Sequence, residues 1–190
     1  PDRRAQRQAW HDAAMDQVER LDRLVDSILA SVRIVPAEAA EVTPTDVEAT
    51  VAEVVASIRP IVRQHHLDVR PGLRHHAMAD APRLRQILEH LIENAVKYAP
   101  PETTITIDHA LVEGFVRIGV TDQGPGVPAE WRERIFEPYA RRETHTARGS
   151  GIGLYAAKRL GESMGARLWV EPADPTGARF VVALPAVAAV

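Results

Sequence analysis

Between Asp80 and Thr121 the spacing of the apolar residues changes from three-or-four to two, and that change limits the chain to folds that layer helices on a sheet. Asp80 can cap a helix, with Pro82 just inside its first turn, where a missing N–H does no harm. Leu84, Ile87, Leu88, Leu91 and Ala95 form one face of this helix, and the Pro100-Pro101 pair ends it. Thr104 to His109 and Phe115 to Thr121 alternate instead, joined by a hairpin turn at Glu113 and Gly114.

The flanking segments extend the same pattern. Asp46 can cap a helix running to about Gln64, with Val47, Val51, Val54, Val55 and Ile58 on one stripe, and a short strand around Leu67 to Arg70 follows. A last helix over Gly151 to Met164 precedes strands near Arg167 to Val170 and Ala178 to Leu184. The stretch from Asp122 to Ser150, with one short helical piece near Glu130 to Ile135, is too long and too rich in glycine, proline and charge to be a plain connection. The expected fold class is α+β, a two-layer α/β sandwich with helices on one face of a mixed sheet, preceded by a long helix.

That long helix is expected over Arg3 to Arg33, where Val18, Leu21, Val25, Ile28 and Val32 recur in a narrow seam. Pattern alone leaves two readings: a helix that pairs with other helices, or an amphipathic helix on the surface of its own domain. Pro36 and Pro44 bracket a linker, so the expected division is 1–35, a linker over 36–45, and a domain over 46–190. A chain of 190 residues, 45% of them hydrophobic, suffices for one core plus such an element. A formal charge of -3 lacks the basic footprint of a nucleic-acid binder, so polynucleotide is not the expected ligand. With no cysteine there is no disulfide, thiolate zinc site or cysteine nucleophile, which fits a reducing compartment and makes the cytoplasm the expected location. No apolar run is long enough to span a bilayer, and His65, His66, His75, His76, His109 and His145 have no metal-site spacing.

Chemistry concentrates in three places. His90, Asn94, Lys97 and Tyr98 follow one another at steps of one, three or four on a stripe opposite the apolar face of their helix, with Glu93 at its edge. An amide oxygen, an ammonium and an aromatic ring could hold magnesium, touch phosphate and cover a base. Asp122 ends a strand and is followed by Gly124 and Gly126, so a carboxylate could read an exocyclic amine while the glycines let a ring approach the backbone. Gly149, Ser150, Gly151, Ile152, Gly153 and Leu154 run into a helix whose exposed amides would face an anion.

In this order the segments resemble the sequence boxes of sensor histidine kinases. Gln86 to Tyr98 resembles the N box, Asp122 to Gly126 the first glycine box, Ile135 to Arg141 the F box, and Gly149 to Leu154 the second glycine box. Glu19 to Val25 is similar to the second helix of the dimerization and phosphotransfer hairpin. The resemblance implies the ATP-binding Bergerat fold of the GHKL superfamily and an ATP-dependent protein histidine kinase that uses ATP and magnesium. It implies that Asn94 holds magnesium, that His90 and Lys97 reach phosphate, and that Tyr98 packs near adenine. Asp122 would read the adenine amine while Gly124 and Gly126 shape the base pocket. Gly149, Ser150, Gly151, Gly153 and Leu154 would form the phosphate end, Phe136 would anchor a lid, and Arg141 would offset charge on the transferred phosphoryl group. Implied partners are the phosphoacceptor histidine helix of the parent kinase, a response regulator receiver domain and a second copy of the parent, itself possible as an inner-membrane protein.

Two departures stand out. His90 occupies a position where the family more often has asparagine, and no segment resembles the box around a phosphorylated histidine. His11-Asp12 supplies only the first two residues of that box, so the acceptor is expected on a helix before Pro1. Two competing readings are another ATPase or serine kinase of the same superfamily, and a nucleotide-sensing module without catalysis.

Overall fold

The structure, a computed structural model, describes residues 39–60, 62, 64–140 and 151–187. The expected helix over Arg3–Arg33 and the first residues of the linker lie outside the described residues. Among the described residues the chain forms β1 (Thr43–Asp46), α1 (Val47–Ile58), β2 (His66–Val69), β3 (His76–Ala79), α2 (Ala81–Tyr98), β4 (Thr104–Val112) and β5 (Phe115–Thr121). Two 3-10 turns (Ala129–Trp131 and Arg134–Phe136), α3 (Gly153–Ser163), β6 (Arg167–Pro172) and β7 (Ala178–Pro185) follow.

The main sheet has the order β2-β4-β5-β7-β6. Only the β2–β4 pair is parallel, so the sheet is mixed as expected. Register puts Ile105, Ile107, Val116, Ile118, Val120, Phe180, Val182 and Leu184 on one face, all buried. Against it lie Leu84, Ile87, Leu88 and Leu91 of α2 and Ala157 and Leu160 of α3, none more than 1% exposed. Each fully buried Leu or Ile contributes about 1.5–3 kcal/mol. Leu91→Ala, which leaves a cavity at the helix–sheet interface, would cost roughly 2–5 kcal/mol.

The opposite face of the sheet carries a polar layer. Arg117 stacks over Trp169, Arg167 over Phe115, and Arg179 donates to Asp108 Oδ1 at 2.7 Å. Gly119 lies under Arg179, and a Cβ there would come within 2.3 Å of the guanidinium carbon.

Several boundaries differ from the sequence expectations. β1 takes in Thr43 to Thr45, the end of the expected linker, by pairing antiparallel with β3, a strand not among those expected. That small ladder is tied to the main sheet by the Ala77–Ala186 bridge and by Val187 N donating to His76 O at 2.9 Å. α1 stops at Ile58 instead of Gln64, because Pro60 brings no N–H and its ring crowds the preceding turn. The helical piece near 130–135 is two separate 3-10 turns, and α3 begins at Gly153, since Gly151 has a φ of 74°, outside any right-handed helix.

Candidate nucleotide site

α2 and α3 run antiparallel. The first turn of α2 meets the last of α3 through Arg83 and Ser163, and His90, further along α2, lies beside Gly153 at the start of α3. The end of α2 and the start of α3 therefore open at the same edge of the sheet, where β5 delivers Asp122.

Asp122 is 3% exposed. Its Oδ1 accepts from Gly124 N at 2.8 Å and from Ala178 N at 3.2 Å. Among the described residues nothing donates to Oδ2, which leaves an acceptor for a ligand. Burial pushes the carboxyl above the ordinary aspartate value, and the two amide bonds work against that rise.

Three glycines let the backbone close around this carboxylate. A Cβ on Gly124 would lie 2.9 Å from both Asp122 Oδ1 and Tyr98 O, so only glycine lets this loop touch the end of α2. Gly126, with φ 71°, packs on Gly177 O. Gly177, with φ 114°, leaves no room for a side chain, since a Cβ would fall 1.9 Å from Asp122 O. Sequence reading missed Gly177 and Ala178. Their only local signal is a Pro-Thr-Gly turn, and the contact that matters spans 56 residues.

On α2, Lys97 Nζ lies 4.8 Å from the centre of the Tyr98 ring, and Asn94 is half-buried with its amide in no hydrogen bond among the described residues. His90 Nδ1 is 3.9 Å from Glu93 Oε2, and a Cβ on Gly153 would be 3.6 Å from the same nitrogen. Among the described residues no side chain caps the N-terminus of α3, whose dipole puts its positive end toward this edge. Leu154 packs against the core, half-buried. Phe136 is 5% exposed and meets Phe180 edge-on at 6.5 Å, which fastens the 3-10 turn to the sheet. Arg141, Gly149 and Ser150 lie outside the described residues.

The structure thus brings together Tyr98, Asp122, Gly124, Gly126, His90 and Gly153, with Asn94 and Lys97 on the intervening turns. A buried acceptor at one end and the positive end of a helix dipole at the other suit a ligand with an amine-bearing base and an anionic tail. Asn94 offers one amide oxygen, enough for magnesium, which keeps several waters and takes phosphate oxygens besides.

Residues 79–188, more than half of the chain, match the family described as histidine kinase-, DNA gyrase B- and HSP90-like ATPase. The sensor protein PfeS of Pseudomonas aeruginosa is 38% identical over 105 residues, a match covering 55% of this chain and 23% of that protein, so the chain spans about a quarter of this curated relative. Among solved structures, a mycobacterial sensor histidine kinase, MprB, superposes with a TM-score of 0.69 at 25% identity, covering 76% of this chain and 97% of that one. Full-length ShkA in complex with AMPPNP gives 0.72 at 29% identity, covering 96% of this chain and 39% of that one. The layered fold, the strand-end carboxylate and these matches agree: the chain belongs to the histidine kinase-, DNA gyrase B- and HSP90-like ATPase family and carries the ATP-binding domain found in sensor histidine kinases.

Proposed function

We propose that this chain is the ATP-binding catalytic part of a protein histidine kinase, which moves the γ-phosphoryl group of MgATP to a histidine on a partner helix during two-component signalling. The observation that carries the reading is Asp122, a carboxylate held in the interior by two backbone amides on Oδ1, with no donor to its second oxygen among the described residues. That oxygen would accept from the adenine amine, with Tyr98 against the ring and Gly124 and Gly126 giving it room. The triphosphate would then extend toward His90, Lys97, Gly151 and Gly153. Asn94 would hold magnesium, whose charge offsets that of the phosphate oxygens.

In the reaction, the bond from the γ-phosphorus to the bridging oxygen breaks and one to an imidazole nitrogen forms, with ADP leaving. Arg141 is assigned to neutralise charge on the phosphoryl group in flight. The acceptor helix, a response regulator receiver domain that takes the phosphate onward, a second copy of the parent and a cytoplasmic site of action complete the reading. No helix of the described residues is long and apolar enough to cross a membrane.

The test has two arms. A fluorescent ATP analogue, titrated with and without magnesium, should bind in a magnesium-dependent way. Labelled ATP incubated with the chain and a histidine-bearing hairpin from a related kinase should leave acid-labile label on the hairpin. Nucleotide binding without any transfer would reduce the function to nucleotide sensing, and no binding at all would refute the site.

A further inference from the structure

At the end of α2 away from the nucleotide site, Asp80 and Arg83 are 8% and 6% exposed. A buried ion pair is costly unless its remaining atoms are bonded, and here they are bonded to three separate parts of the chain. Asp80 Oδ1 accepts from Arg83 N at 3.1 Å and so caps α2. Its Oδ2 accepts from Glu41 N at 3.0 Å and lies 3.3 Å from Arg83 Nε. Arg83 Nη1 donates to Ser163 Oγ at 2.7 Å, and that hydroxyl donates to Leu160 O at 2.6 Å in the last turn of α3. One carboxylate and one guanidinium thus join the segment that precedes β1, the first turn of α2 and the last turn of α3.

We propose that Asp80, Arg83 and Ser163 are positioning residues for the nucleotide: a pivot through which the segment at Glu41 sets the spacing of α2 and α3, and with it the affinity for ATP. This rests on the nucleotide-binding reading given above. Both helices leave the pivot side by side, and their far portions carry His90, Asn94 and Lys97 on one and Gly153 on the other. Asn94 is eleven residues from Arg83, about 16 Å of helix, so a tilt of about 4° at the pivot moves it by about 1 Å. That is about twice the roughly 0.5 Å within which a binding constellation must be held, and the expected loss of affinity is about tenfold. The pivot answers to the preceding segment because Glu41 N–H and Arg83 Nε share one carboxylate oxygen, so withdrawing Glu41 leaves Oδ2 to the guanidinium alone and re-aims it.

The experiment uses the full chain with Asp80→Asn, Ser163→Ala and, as a control of comparable instability, Val54→Ala in α1, which carries no site residue. Asparagine caps helices as well as aspartate does. The Arg83 amide keeps the asparagine oxygen in place, which turns the NH2 toward Glu41 N–H and Arg83 Nε, donor against donor. MgATP affinity by competition with a fluorescent analogue is read beside the melting temperature. Asp80→Asn should weaken binding about tenfold and Ser163→Ala about threefold, whereas Val54→Ala should lower the melting temperature and leave affinity within about twofold. Ser163 is exposed, so its variant decides the matter if Asp80→Asn does not fold. Unchanged affinity in the pivot variants, or an equal loss in Val54→Ala, would overturn the pivot while the site stands. No binding by the wild type would overturn the site, and the pivot with it.

Discussion

Replacing Asp122 by asparagine tests the site at its most constrained point. Oδ1 receives two backbone amides, from Gly124 at 2.8 Å and Ala178 at 3.2 Å, so in the variant the oxygen of the amide must stay there. The NH2 is thereby forced into the position of Oδ2, where it would meet the exocyclic amine of adenine donor to donor. A hydrogen bond to a charged group contributes about 1.5–3 kcal/mol, and leaving its partner unsatisfied adds to the loss, so a deficit of about 2–3 kcal/mol is expected. That corresponds to roughly 30- to 150-fold in Kd. The fold should not suffer, because burial already raises the carboxyl above its ordinary value and a neutral amide escapes that desolvation. The sign is checkable. A carboxyl raised in the folded state gives a stability contribution that is complete below the ordinary aspartate value and is lost as pH rises through the raised value, and the asparagine variant should lack this slope. Fluorescent-nucleotide titration at neutral pH, with circular dichroism melts from acid to neutral pH, measures both. Wild-type affinity in a folded variant would reduce Asp122 to a turn residue and refute the reasoning.

Three further outcomes are expected. Asn94→Ala should abolish the enhancement of nucleotide binding by magnesium while leaving magnesium-free binding nearly as in the wild type, and titration with and without the metal decides it. Gly177→Ala, at φ 114° with its Cβ driven into Asp122 O, should cost about 3 kcal/mol in urea unfolding and weaken nucleotide binding as Ala178 N is displaced. His109 is 8% exposed with Nδ1 unpartnered among the described residues, and burial, then the neighbouring His75, lower its pKa from the ordinary 6.5. The folded chain therefore resists a proton that the unfolded chain accepts, so stability is full above about pH 6.5 and falls as pH drops toward the depressed value; His109→Leu should flatten the melting temperature between pH 7.5 and 5.5.

The elements that the sequence disclosed are those whose signals are local. The capped helix after Asp80, the alternation on either side of Glu113 and Gly114, and the glycines flanking Ile152 each announce themselves within a dozen residues, and so does the polar stripe of His90, Asn94 and Lys97. β1 and β3 do not. Each is four residues long, Pro44 interrupts one, and their pairing joins positions about 30 apart, which no local period records. The same reason hid the back wall of the site. Asp122 and Gly124 were legible at the end of a strand, but the amide of Ala178 that holds the carboxylate arrives from a strand that shares nothing with them in sequence.

β7 is the last strand in the chain order of the described residues, yet it lies inside the sheet, with β5 on one side and β6 on the other. A ribosome delivers it after every other element named here, so the nascent chain must wait with the edge of β5 bare and β6 unattached. A chain ended by premature termination before Ala178 would lack both an interior strand of its sheet and the amide that fixes Asp122, and would have no formed nucleotide site with which to draw on the cell's ATP.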